Sequence, residues 1–160
     1  MQFLLADKEE KALIFSLYRS VIGSEGCTWS EDYPNEEIME DDFRRDALFV
    51  LKDEQGEIVG AVSIDDDKVV EGFGCWSQAL KPGAELARLV VKETHQNRGL
   101  ARILLQEAMK ILRERGYQSV HFLVSKTNER ALRSYAKLQF DNKGECDLFG
   151  EHWWCYEKEL

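Results

Sequence analysis

Residues 85–116 read ELARLVVKETHQNRGLARILLQEAMKILRERG, and the fold turns on this stretch. Glu85 to Val91 is a largely apolar run of strand length. A polar interval over 92–98 follows. From Gly99 to Arg115, the residues Leu100, Ile103, Leu104, Ala108, Ile111 and Leu112 share one face of a 3.6-residue repeat, which marks an amphipathic helix. Gly116 stops that helix behind a basic last turn carrying Arg113 and Arg115. Tyr117 to Val124 is a second strand, with Val120, Phe122 and Val124 on one side. Strand, loop, helix and strand in this order make a βαβ crossover.

The flanks complete a mixed α/β pattern. On the N-terminal side, Met1 to Leu5 suits a short edge strand, and Asp7 opens a helix with Ala12, Leu13, Leu17 and Val21 on one face, ending near Gly23. Residues 24–34 are a loop with aromatic anchors at Trp29 and Tyr33. Asn35 is placed to cap a second helix whose first turns carry Glu36, Glu37 and Glu40. Ala47 to Lys52 and Glu57 to Ile64 form a hairpin about a turn at 53–56. Asp65-Asp66-Asp67 is a polar turn, and Val69 to Trp76 suits a further strand interrupted by Gly72 and Gly74. On the C-terminal side, Asn128 precedes a helix carrying Ala131, Leu132, Tyr135 and Leu138. Strands over 144–149 and 152–159 close the chain. The expected fold class is α/β, a mostly antiparallel mixed sheet with flanking helices, in one domain spanning residues 1–160.

Composition narrows the function classes. The 160 residues are 44% hydrophobic and 32% charged, as in ordinary globular proteins. Lys plus Arg number 21 against 30 Asp plus Glu, a formal charge of −9, which argues against a nucleic-acid partner. No apolar stretch is long enough to cross a bilayer and Met1 to Ala6 is too short for a signal sequence, so no membrane partner and a cytoplasmic location are expected. Cys27, Cys75, Cys146 and Cys155 are far apart, with no histidine at ligand spacing, so no metal is expected.

A loop that leaves a buried strand and enters a helix aims several unpaired backbone N–H groups, and the positive end of the helix dipole, at one point. An anion is the natural occupant. Gly99 and Ala101 let a phosphate approach the backbone closely, and Arg98 and Arg102 bring positive charge. A Walker loop is excluded, because Arg102 and Ile103 stand where Lys and Ser/Thr are needed. A dinucleotide fingerprint fails for want of two further glycines.

The tract Gln96-x-x-Gly99-x-Ala101, entering a helix from a strand, resembles the acyl-CoA loop of the GNAT superfamily of N-acyltransferases. Asn128-x-x-Ala131-x-x-x-Tyr135-x-x-Leu138-x-Phe140 is similar to the second half of that family's cofactor site. The likeness covers nearly the whole chain, with residues 84–140 carrying most of it. It departs from the family at Gln139, where many members have glycine, and at Ala101. The resemblance implies a splayed central strand pair and acetyl-CoA as donor. The pyrophosphate would rest on Gln96, Asn97, Arg98, Gly99, Leu100, Ala101 and Arg102. The pantetheine arm would lie along Leu89, Val90 and Val91, with Asn128 and Tyr135 completing the cofactor site.

An alkylamine has a pKa near ~10 and must lose a proton before it attacks. A carboxylate can take that proton, and a phenol can serve the departing thiolate. By the resemblance, Tyr135 is the acid and Glu85 the base. The spacing places Glu85 on one strand face with Ala87, Leu89 and Val91. Asn128 also suits a plain helix cap, and Arg88 suits either a substrate contact or an acid partner. Trp29, Tyr33, Phe73 and Trp76 are candidates to line the acceptor side. The resemblance thus implies direct acetyl transfer to a primary amine of a small molecule, amino acid or peptide. The competing reading is a catalytically inactive acyl-CoA sensor. Homodimers are common in the family, and nothing in this sequence requires one.

Overall fold

In the computed structural model, which describes residues 1–160, the chain begins with strand β1 (Gln2–Leu5) and helices α1 (Lys11–Ser20) and α2 (Glu36–Arg44). The hairpin β2 (Leu48–Lys52) and β3 (Ile58–Asp65) follows, then one helical turn α3 (Lys68–Glu71) and strand β4 (Gly83–Val91). The crossover is α4 (Leu100–Glu114) and β5 (Ser119–Ser125). Helix α5 (Glu129–Ala136) and the hairpin β6 (Asp141–Leu148) and β7 (Glu151–Glu159) complete the chain. The strands form one sheet in the order β1-β2-β3-β4-β5-β7-β6, antiparallel except for β4 and β5.

Each face of the sheet carries its own core. On one face α4 packs Leu104, Ala108 and Leu112, all fully buried, against Val59, Val62 and Val120. On the other, α1 and α2 bring Ile14, Tyr18, Met39 and Phe43 onto Val50, Ala61 and Val90. The helix starts follow the expected chemistry: the Asn35 side chain accepts a hydrogen bond from the Ile38 N–H at 2.9 Å and caps α2. No helix is long and apolar enough to cross a membrane.

Helix α1 buries Ile14, Leu17 and Tyr18, with Val21 just beyond it, whereas Ala12 and Leu13, expected on that face, are exposed, because the buried stripe is set one residue later along the helix. Two further expectations are corrected. The strand over Val69 to Trp76 is absent. Asp67 Oδ1 accepts from the N–H groups of Val69 at 2.8 Å and Val70 at 3.4 Å, which turns the backbone into α3 instead. A local aspartate cap outweighs the strand propensity of two valines. Trp76 is buried against Val70 and stacks on His121 with ring centroids 4.5 Å apart, so Trp76 and Phe73 lie outside the candidate acceptor side.

The second correction concerns β4. Its register with β3 pairs Ala87 with Ser63 but Val90 with Ala61, so Arg88 and Leu89 together oppose Val62. This is a β-bulge, with Arg88 at φ 51. The extra residue breaks the period-two alternation. Glu85 and Ala87 share a face with Val90, which packs under α1 and α2, while Leu86 and Val91 pack on the α4 side.

Candidate active site

β4 and β5 pair at only three positions, Gly83 with Ser119, Ala84 with Val120 and Glu85 with His121. Past Glu85 the strands part, since β4 continues along β3 to Val91 and β5 along β7 to Ser125. One edge of β4 is thereby left without a strand partner, and its main-chain groups need another. The gap opens into a cleft of about 1280 Å³ that reaches both faces of the sheet. Leu100, Ala101 and Tyr135 wall it on the α4 side, and Trp29, Tyr33, Asp42 and Asp65 on the α2 side.

The α4 side has the features of an anion cradle. Asn97 at φ 61 and Gly99 at φ 78 turn the chain sharply into the helix. No side chain caps α4, so the first-turn N–H groups have no internal partner, and Gly99, Leu100 and Ala101 line the cleft. Gln96 braces this loop with its side chain. Its Nε2 donates to the Val91 carbonyl at 3.0 Å, and its Oε1 accepts from Arg130 of α5. Leu89, Val90 and Val91 line the cleft. Arg98 and Arg102 do not. Arg98 points to solvent, and the Arg102 guanidinium folds back over Gly99, 3.3 Å from where a Cβ there would stand.

Helix α5 completes this side. Asn128 Oδ1 accepts from the Ala131 N–H at 3.0 Å, so its carbonyl oxygen is the helix cap. Gly26, at φ 77, sits so close that a Cβ would come within 2.9 Å of Asn128 Cα. That contact ties the 24–34 loop to the start of α5 and makes one cleft from two elements distant in sequence. Tyr135 packs edge-on against Phe122 at 5.1 Å, and burial pushes its phenol up to about 12. It stays protonated through the physiological range. Gln139 takes the left-handed conformation at φ 56, which explains why a glycine suits this position elsewhere.

The α2 side is a charged network that sequence reasoning did not assemble. Arg88 donates to Asp42 through Nε at 2.9 Å and a terminal nitrogen at 2.7 Å, to Asp65 at 2.8 Å and to the Tyr33 hydroxyl at 3.3 Å. Asp42 also accepts from Ser63 Oγ and Arg45, each at 2.7 Å. Arg88 is therefore an acid partner. The bulge turns its guanidinium under α2, and no periodicity in the sequence shows it. Asp65 read as part of a polar turn, but the register of β3 with β4 sets it directly opposite Glu85.

Glu85 is 6% exposed, it lines the cleft, and its Oε2 has no hydrogen-bond partner. Burial raises its pKa from 4.5 to about 9, the charges of Asp65, Asp67 and Glu71 add to this, and Arg88 offsets only part. A buried carboxyl and a phenol thus line one cleft, together with an uncapped helix N-terminus.

The acetyltransferase (GNAT) family model matches residues 14–140. Solved structures share the fold over almost the full length. The ribosomal-protein-alanine N-acetyltransferase of Brucella melitensis superposes with a TM-score of 0.78 at 19% identity, covering 100% of both chains. A Salmonella typhimurium protein assigned to the acetyltransferases, solved with its cofactor acetyl-CoA, gives 0.78 at 19% identity over 100% of this chain and 94% of its own. A GNAT-family acetyltransferase of Streptococcus agalactiae gives 0.78 at 22% identity over 99% and 95%.

Proposed function

The chain belongs to the acetyltransferase (GNAT) family, and from that premise we propose that residues 1–160 act as one domain that transfers the acetyl group of acetyl-CoA to a primary amine. The observation that carries this reading is the cleft through the strand splay. It joins an uncapped helix N-terminus on one face of the sheet to a buried, unpartnered carboxyl on the other.

The cradle fits the donor. First-turn N–H groups of α4 and the glycine at its cap suit a pyrophosphate, and the unpaired edge of β4 from Leu89 to Val91 suits an amide-bearing arm. When bound, acetyl-CoA supplies a thioester carbon already activated towards an amine. Glu85 takes the proton from the acceptor ammonium, the new N–C bond forms as the C–S bond breaks, and the leaving sulfur gains a proton. With its pKa pushed to about 12, Tyr135 stays a phenol throughout and can donate to the departing sulfur. Its role is to hold the developing sulfur charge by a hydrogen bond, while solvent supplies the proton.

Two measurements test the reading. Saturating acetyl-CoA is expected to raise Tm by several degrees, because the ligand binds only the folded chain. No shift would overturn acetyl-CoA binding. A panel of primary amines with thiol release as readout tests catalysis. A shift with no release for any amine would replace transfer by a sensor function.

A further inference from the structure

Around Glu85 the protein has placed more negative charge than it has balanced. Asp65 stands across the strand pair from it, and Asp67 and Glu71 follow on the next turn. The arginines nearest the site are already committed. Arg88 is spent on Asp42, Asp65 and Tyr33. Arg45 is spent on Asp41, Asp42 and the Ile64 carbonyl. On the β5 side His121 meets Glu71, Nε2 to Oε1 at 2.8 Å. Neither Glu85 nor Asp67 has an ion-pair partner, and Asp66 approaches only Arg45, at 3.8 Å. All three of these acids line the cleft. Glu85 is in addition more than nine-tenths buried with a free Oε2.

Resting on the acetyl-transfer reading, we propose that the acceptor is a dication: a linear diamine or polyamine whose reacting ammonium sits at Glu85 and whose second ammonium is held by the Asp65–Asp67 turn. One positive charge balances Glu85 alone and leaves Asp66 and Asp67 unanswered. A second brings positive charge to that turn as well. An acceptor bearing a carboxylate, such as an amino acid, would meet these acids with Arg88 already occupied, and like charges in a cleft of low dielectric repel strongly. Entry of the dication also ionises Glu85. The buried proton leaves as the ammonium arrives, and the carboxylate so formed is the base that the reaction needs.

A matched series separates the readings: diaminobutane, butylamine and 4-aminobutanoate share one chain length and end in a positive, neutral or negative group. We expect kcat/KM for diaminobutane to exceed that of butylamine at least tenfold and that of aminobutanoate at least a hundredfold. The first ratio should shrink with added salt. Asp67→Asn keeps a side chain that can cap α3 and is expected to collapse the ratio of diaminobutane to butylamine. Equal use of the three amines would overturn the inference and leave acetyl transfer standing. Calorimetry on the CoA-saturated protein decides the matter without turnover. Diaminobutane should bind at pH 8 with release of about one proton, and Glu85→Gln should release none. No binding heat would overturn the dication site, and failure of every amine to release thiol would overturn the transferase reading instead.

Discussion

Replacing Glu85 by glutamine is expected to move stability and activity in opposite directions. The carboxyl has a pKa of 4.5 when unperturbed and about 9 in the fold, because it is buried and faces Asp65, Asp67 and Glu71, with Arg88 as partial relief. A carboxyl whose folded pKa is the higher of the two favours the fold while protonated. Its contribution is fully present below pH 4.5 and is lost as pH rises towards 9. Each pH unit in that window costs about 1.4 kcal/mol, so between pH 4.5 and pH 7 the native protein gives up roughly 3 kcal/mol. The glutamine variant has no proton to hold and gives up none of it. Urea denaturation of both proteins from pH 5 to pH 8 should therefore show their difference widening in favour of Glu85→Gln by about 1.4 kcal/mol per pH unit. For a chain of this size, roughly 3 kcal/mol corresponds to a Tm difference on the order of 6–12 °C. Activity goes the other way: kcat should fall about 100-fold or more with the base removed. The rising limb of the native kcat/KM profile near pH 9 should vanish. A stability difference constant to about 0.5 kcal/mol across the range would refute the reasoning, since it would mean that the carboxyl is already ionised in the fold.

Tyr135→Phe keeps the ring against Phe122 and removes the hydrogen bond proposed for the departing sulfur. Such a bond is worth about 1.5–3 kcal/mol, so kcat for thiol release should drop on the order of 10- to 100-fold, and an unchanged kcat would remove Tyr135 from the mechanism. Arg88→Met leaves Asp42 buried with Ser63 and Arg45 alone and should cost roughly 3–5 kcal/mol in urea unfolding. Adding Asp42→Asn should return part of that loss, whereas strict additivity of the two changes would show that the pair is not coupled.

The donor half of the cleft was legible because its chemistry is local. The loop from Gln96 to Ala101 acts through backbone N–H groups at the start of one helix, and that start is written in consecutive residues. Asn128, three residues before the N–H group that it caps, is local in the same way. The charged network on the α2 side was not legible. Arg88 finds its partners 46 and 23 residues away, and Glu85 takes its environment from a turn, a helix and a neighbouring strand. The departure at Gln139 was visible as a residue type, but its left-handed backbone was not.

By itself the sequence determined most of the element order, a mixed sheet with flanking helices and the helix N-terminus at which an anion can rest. Helix and strand periodicities, caps and turn residues act over a few positions, so they can be read along the chain. It misjudged 69–76, where Asp67 redirects the backbone, and the face of Leu89 and Val91, where one extra residue shifts the alternation. Only the tertiary structure decided that Arg88 is neutralised rather than free, that Glu85 is buried and unpaired, and that Gly26 brings the 24–34 loop onto Asn128. Those outcomes depend on burial and on charges brought together from distant positions, and the Coulomb and desolvation energies that set them exist only after the chain has folded.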